Sequence, residues 1–295
     1  MTYALQLQDV SKSFRQAFRK PVQALDKVSL DVKQGEAVGF VGDNGAGKST
    51  AIKILIGAIR PDSGMAAING QPADHHIARM GVGYVPENPY LPDRLTPLEL
   101  LALSARLQGM AASEVHRRSM EMLERVGVGY AAKRVLRDFS KGMSQRVSLA
   151  QAMVARPKLL ILDEPLSGLD PTGRTDVTRL LEDYLNEGGA IFFSSHVLTD
   201  VERLADRVFL IKNGSIRAQM TSAEFFAAAT PGYLVRYYAR ELIEGSQTRR
   251  GALPSVVVPA ESLAATVSQI VEAGGSVVEV LPNRSLEKAL AEERA

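Results

Sequence analysis

The chain has 295 residues, 45% hydrophobic and 23% charged, with a formal net charge of +2 and no cysteine. That length allows one large or two medium domains around a real core, and the missing cysteines exclude a disulfide framework. A charge of +2 is too small to argue for a nucleic-acid partner, and no stretch of eighteen uncharged apolar residues offers a membrane span. The opening residues Met1 to Gln6 carry no basic-then-apolar leader, so a cytoplasmic protein is expected. A pI near 8.8 would suit docking beside an anionic membrane surface.

Leu5, Leu7 and Val10 alternate with polar neighbours, as do Val28, Leu30 and Val32, which predicts half-buried antiparallel strands. Between them Phe14 precedes the basic segment 15–20; an aromatic here either stacks on an adenine ring or fills a strand end. The apolar run Ala37 to Phe40 then leads into Val41-Gly42-Asp43-Asn44-Gly45-Ala46-Gly47-Lys48-Ser49-Thr50, the complete G-x-x-x-x-G-K-[ST] pattern between a strand and a helix. In such a loop the backbone N–H groups around Gly42, Asn44, Gly45, Ala46 and Gly47 cradle phosphate oxygens, and the helix N-terminus adds unpaired donors. Lys48 reaches the β and γ phosphates, Ser49 can place its hydroxyl on magnesium, and Thr50 stands one step into the helix. That helix is expected to continue from Ala51 to Ile59 and stop at Pro61-Asp62-Ser63-Gly64, which opens a hairpin ending near Asn69-Gly70.

Val82 to Val85 reads as another buried strand, followed by Pro86-Glu87-Asn88-Pro89. From Thr96 to about Ala155 the apolar period becomes helical, with breaks at Gly109 and at Gly127-Val128-Gly129. Inside this block the polar turn Asp138 to Arg146 precedes a long helix and makes a second anion-facing helix start. Leu159-Leu160-Ile161-Leu162 ends in Asp163 and Glu164; beyond a phosphate loop, one such carboxylate holds magnesium and its neighbour polarises the attacking water. Ser167 to Asp170 opens a helix with Val177, Leu180, Leu181, Tyr184 and Leu185 on its buried face. The strand Ala190 to Ser195 carries His196 at its carboxyl end, where ligands of α/β sheets bind. A hairpin of 207–211 and 215–219 closes the core. Beyond it, strands at 233–239, 255–258 and 276–280 and a helix through Leu263, Val267, Ile270 and Val271 predict a small α+β domain.

Taken together, these motifs resemble the ATP-binding cassette family over Leu5 to about Met220, with Ser140-Lys141-Gly142-Met143 as its signature turn, Ser167 to Asp170 as its D-loop and His196 as its switch histidine. The resemblance implies a P-loop NTPase core with an N-terminal antiparallel β subdomain and an inserted helical subdomain at about 88–156, forming a domain of 1–220, then an accessory α+β domain at 221–295. It implies ATP and magnesium as ligands, Phe14 as adenine stacker, and Lys48 as phosphate clamp. Ser49 and Asp163 become magnesium ligands, Glu164 the general base and His196 the γ-phosphate sensor. Ser140, Gly142 and Met143 would act on the nucleotide of a second copy, and Asp170 counts among the nucleotide-binding residues. Glu87 stands where the family usually has glutamine and is assigned to magnesium or its water. Lys141-Gly142-Met143 replaces the usual Gly-Gly-Gln. Both variants are similar to those of exporter cassettes, whose permease is a separate multi-helix chain; this implies an ATP-dependent homodimer on the inner face of the cell membrane. A soluble cassette acting on ribosomes or DNA commonly carries two cassettes or a long coiled coil, and this chain has one loop and no sustained heptads. A signalling module that uses ATP without moving cargo stays open at this level.

Overall fold

The computed structural model describes residues 3–15, 21–230, 232–239, 242–248 and 252–283. The chain divides into two compact units, Met1–Met220 and Thr221–Ala295. In the first, the predicted alternation becomes β1 (Tyr3–Phe14) and β2 (Val22–Lys33), antiparallel with Leu7 opposite Leu30 and Val10 opposite Val28. The wholly buried β3 (Ala37–Val41) leads to α1 (Lys48–Leu55), which places Ala51, Ile52 and Leu55 in the core. The helix stops four residues before the expected Ile59. Gly57 adopts φ 71, and the N–H groups of Gly57 and Ala58 turn back onto the carbonyls of Ile54 and Lys53, so the chain closes a left-handed cap.

Next, β4 (Ser63–Ile68) and β5 (Gln71–Pro72) flank Asn69 and Gly70, both at positive φ, and join the first sheet in the order β2-β1-β4-β5. β6 (Val82–Val85) precedes the helical block of α2 (Pro97–Leu107), α3 (Ala112–Arg125) and α4 (Lys141–Met153). α2 starts with a full capping box: Thr96 Oγ1 accepts the Glu99 N–H, and Glu99 Oε2 accepts the Thr96 N–H. α4 lies so close to β6 that a Cβ on Gly83 would stand 2.5 Å from the Ala152 carbonyl oxygen.

The remaining elements of this unit are β7 (Leu159–Asp163), α5 (Pro171–Asn186), β8 (Ala190–Ser195), α6 (Leu198–Leu204), β9 (Arg207–Lys212) and β10 (Ser215–Thr221). Six strands form the second sheet in the order β10-β9-β3-β8-β7-β6. The pairs β3-β8, β3-β9, β6-β7 and β7-β8 are parallel, so the carboxyl ends of β3, β7 and β8 meet at one edge. β3, β7 and β8 are buried along their whole length, as strands covered on both faces are. On α5, Val177, Leu180, Leu181 and Tyr184 are buried as expected, and the Tyr184 hydroxyl donates to the Pro157 carbonyl.

The second unit begins with α7 (Ser222–Ala229) and contains β11 (Gly232–Tyr238), β12 (Ser255–Pro259), α8 (Leu263–Glu272) and β13 (Ser276–Pro282). Its strands form an antiparallel sheet in the order β12-β11-β13. Val235, Tyr237, Val256, Val258 and Ile270 make its core, with Leu263 packed against them. Val271, expected on the buried face of α8, is 58% exposed, because the face that meets the sheet runs through Thr266 and Ile270. The stretch 284–290 lies outside the described residues. Among the described residues no helix is long and apolar enough to cross a membrane.

Candidate functional site

β3 delivers the chain to the sheet edge between β8 and β9, and the glycines there are required by space as well as by φ. A Cβ on Gly42 would collide with the Ile211 carbonyl oxygen, and one on Gly47, at φ 113, would stand 2.5 Å from the Ala24 carbonyl oxygen. The Ala51 N–H donates to the Gly47 carbonyl at 3.0 Å and starts α1. The N–H groups of Lys48, Ser49 and Thr50 therefore head a helix with no acceptor in the turn before them. Lys48 folds back over the loop, its Nζ donating to the Gly42 carbonyl at 2.6 Å and the Asp43 carbonyl at 3.3 Å.

The two carboxylates at the end of β7 turn to different surroundings. Asp163 is buried, and its Oδ1 accepts a 2.6 Å hydrogen bond from the Ser194 hydroxyl. The Ser194 oxygen in turn accepts the Glu164 N–H at 3.0 Å, so one hydroxyl of β8 ties both neighbours. Burial, followed by the nearby Asp163 charge, raises the Tyr84 phenol above its ordinary pKa. Glu164 adopts φ 49, which ends the strand and swings its side chain toward the loop. Its Oε1 lies 2.9 Å from His196 Nδ1 and 3.6 Å from Lys48 Nζ. Behind this group Asp200, in the first turn of α6, has its pKa raised mainly by burial and is drawn back by its ion pair with Arg174.

Gly45, Gly47, Lys48, Ser49, Thr50 and Asn44 share one cleft of about 390 Å³ with Glu87, Glu164 and His196. The structure thus gathers most of the sequence-predicted site. Asp163 sits behind the cleft. Phe14 does not line it: the ring is 41% exposed at the end of β1, opposite Val22, with Lys12 Nζ 5.8 Å from its centroid. Val22, Gln23 and Ala24 line the cleft instead.

Ser140 caps α4, its Oγ accepting the Met143 N–H at 3.3 Å, and Asp170 caps α5 by accepting the Gly173 N–H at 3.2 Å. Ser140, Gly142, Met143 and Asp170 line a different cleft of about 710 Å³, which shares no residue with the phosphate-loop cleft. Gln145 crosses from the first turns of α4 to donate to the Pro165 carbonyl, just past Glu164. Sequence reasoning missed Gln145 and Ser194. The available signal for Ser194 was a pair of serines closing an otherwise apolar strand.

The ABC transporter family model matches residues 25–167. The chain is 44% identical over 213 residues to an uncharacterised ABC transporter ATP-binding protein of Nostoc sp., an alignment covering 70% of this chain and 63% of that protein. It therefore spans less than two thirds of that relative's length. It is 30% identical over 270 residues to the daunorubicin resistance ATP-binding protein DrrA3 of Streptomyces coeruleorubidus, covering 90% of this chain and 85% of the relative. A solved structure described as the ATP binding subunit of an ABC transporter superposes with a TM-score of 0.69 at 32% identity, covering 76% of this chain and 92% of that one. The strand-loop-helix at Gly42 to Lys48, set in a sheet of the same architecture, agrees with those matches, and the chain belongs to the ABC transporter family, among its ATP-binding proteins with a P-loop NTPase fold.

Proposed function

We propose that this chain hydrolyses ATP as the energy-coupling subunit of an exporter. Two copies close head to tail around ATP and act on a separate multi-helix permease from its cytoplasmic side. On this reading residues 1–220 are the ATPase domain, with the helical subdomain at about 88–156, and residues 221–295 are an accessory domain. The export direction draws on the drug-resistance relative.

The observation that carries the reading is the placement of the Glu164 carboxylate between His196 Nδ1 and Lys48 Nζ inside the phosphate-loop cleft. A carboxylate there is oriented to take a proton from water attacking the γ-phosphate, His196 fixes its direction, and Lys48 neutralises the phosphates. The loop N–H groups and the head of α1 bind the remaining phosphate oxygens. Magnesium would be held by Ser49, Glu87 and Asp163, and would neutralise phosphate charge. These are all oxygen donors, as that cation prefers. Among the described residues no group of three His, Cys, Asp or Glu side chains could hold a metal ion by itself, and on this reading the nucleotide's phosphates would supply further oxygens. The signature turn lines a separate cleft, and on this reading a second copy brings its own Ser140 to the bound nucleotide.

Glu164→Gln tests the assignment. It should keep magnesium-dependent ATP binding and hydrolyse roughly a hundredfold more slowly, within the range for a lost general base. Loss of ATP affinity in Glu164→Gln with retention in Asp163→Asn would reverse the two roles. A wild-type rate would move the base to Glu87 or His196.

A further inference from the structure

Both site residues at the sheet edge stand on short connections into helices. Glu164 follows β7 and is separated by five residues from Asp170, the cap of α5; His196 follows β8 directly, two residues before α6 begins. Each connection is held locally, with the Ser167 N–H donating to the Glu164 carbonyl and the Val197 N–H to the Ser195 hydroxyl. The His196 side chain nevertheless remains 48% exposed. Glu164 is tied to β8 through Ser194, whereas His196 lies beyond the paired residues, so its distance to Glu164 also depends on how the starts of α5 and α6 are fixed against each other.

An ion pair joins the two helix starts. Arg174, in the first turn of α5, donates through Nη1 to Asp200 Oδ1, in the first turn of α6, at 3.3 Å. Asp200 is 9% exposed, and its surroundings include the charges of Glu164, Arg203 and His196 as well as Arg174. Burying a carboxylate near a second carboxylate is unfavourable unless a cation compensates it, so Arg174 and Asp200 hold one another in place. α6 is seated in its turn on β3: a Cβ on Gly39 would stand 3.2 Å from Val201 Cγ1 and 3.4 Å from Ala205 Cβ. Neither Arg174 nor Asp200 lines the phosphate-loop cleft.

We propose that Arg174 and Asp200 are positioning residues for hydrolysis, their ion pair fixing the start of α5 against the start of α6 and so holding His196 Nδ1 within reach of Glu164 Oε1. The inference rests on the reading of Glu164 as the base. Because the pair lies outside the cleft, losing it should slow turnover and leave nucleotide binding unchanged.

The experiment measures kcat, KM and equilibrium ATP affinity for Asp200→Asn, Arg174→Gln and their double variant, with Asp200→Glu and Arg174→Lys as conservative replacements. Each neutralised variant should lose about tenfold in kcat at unchanged KM and ATP affinity, as expected for a coupling carried by one contact. The double variant should be no slower than either single, and the conservative replacements should recover most of the rate. In single turnover, Asp200→Asn added to His196→Ala should cost nothing further. Wild-type kcat in the neutralised variants, or a full additional loss in the His196→Ala background, would overturn the positioning role. So would a fall in kcat matched by lost ATP binding, which reports unfolding. A wild-type chain that binds ATP and never hydrolyses it would instead overturn the reading of the site itself.

Discussion

Glu164 is held at φ 49, a left-handed conformation that costs a residue with a side chain on the order of 1–3 kcal/mol. Its N–H is secured by Ser194, the hydroxyl that also serves Asp163. Ser194→Ala should therefore destabilise by about 1–3 kcal/mol, since it leaves a buried N–H and a buried carboxylate oxygen without that partner, and hydrolysis should slow with it. Denaturant unfolding and steady-state rates check this together; an unchanged unfolding midpoint would mean that water replaces the hydroxyl. Lys48→Ala should weaken ATP binding by at least about a hundredfold, as removing a buried cation from a charge pair does, and nucleotide titration measures it. Wild-type affinity would argue against Lys48 as the clamp. That Lys48, Glu164 and His196 share one cleft was legible in the sequence: Glu164 and His196 each follow a strand, and Lys48 closes the glycine loop that follows another. Ser194 was not, because a hydroxyl inside an apolar run has the same pattern whether it pairs with a carboxylate or caps a strand. Phe14 stands outside the cleft lining at the end of β1, a place set by the β1–β2 register, which spacing alone does not specify.

Elements with a strong apolar signal were legible almost to the residue: β6 and β8 span the expected Val82–Val85 and Ala190–Ser195. Short or capped elements were less so. α6 is only seven residues long, with Val201 and Leu204 as its buried spacing, too brief for a helical period to emerge from its polar neighbours. α1 ended early because a backbone cap at Gly57 outweighed the continuing apolar pattern. The capping box of α2 makes a pH prediction. Hydrogen bonds from the Thr96 N–H and hydroxyl hold the Glu99 carboxyl below its ordinary pKa. A lowered folded pKa contributes stability that is complete above the unfolded pKa and lost as pH falls through the folded one. The unfolding midpoint of the wild type should thus drop more steeply below about pH 4 than that of Glu99→Gln, which has no such proton to gain. Parallel pH dependence of the two proteins would show that the box contributes nothing measurable.

For the whole molecule, the phosphate loop and the signature turn line separate clefts of one unit, and the proposed ATP-closed pair of copies would use both. Glu164→Gln should accordingly dimerise with ATP and stay monomeric with ADP, which light scattering distinguishes. A monomer in both states would count against head-to-tail pairing, and a dimer in both would direct attention to residues 221–295. The α+β character of that second unit was legible from alternation and a glycine break, whereas its strand order β12-β11-β13 depends on pairings distant in sequence. α4 begins at the signature turn and, 13 residues later, ends beside Gly83 of β6, whose missing side chain lets helix and strand touch. At about 1.5 Å per residue the helix is a rod roughly 20 Å long. One end faces the second cleft, and the other leans on a strand that ends two residues before Glu87. A methyl wedge there, Gly83→Ala, meets the Ala152 backbone at 2.5 Å and would force rod and strand apart, although Gly83 lies outside the phosphate-loop cleft.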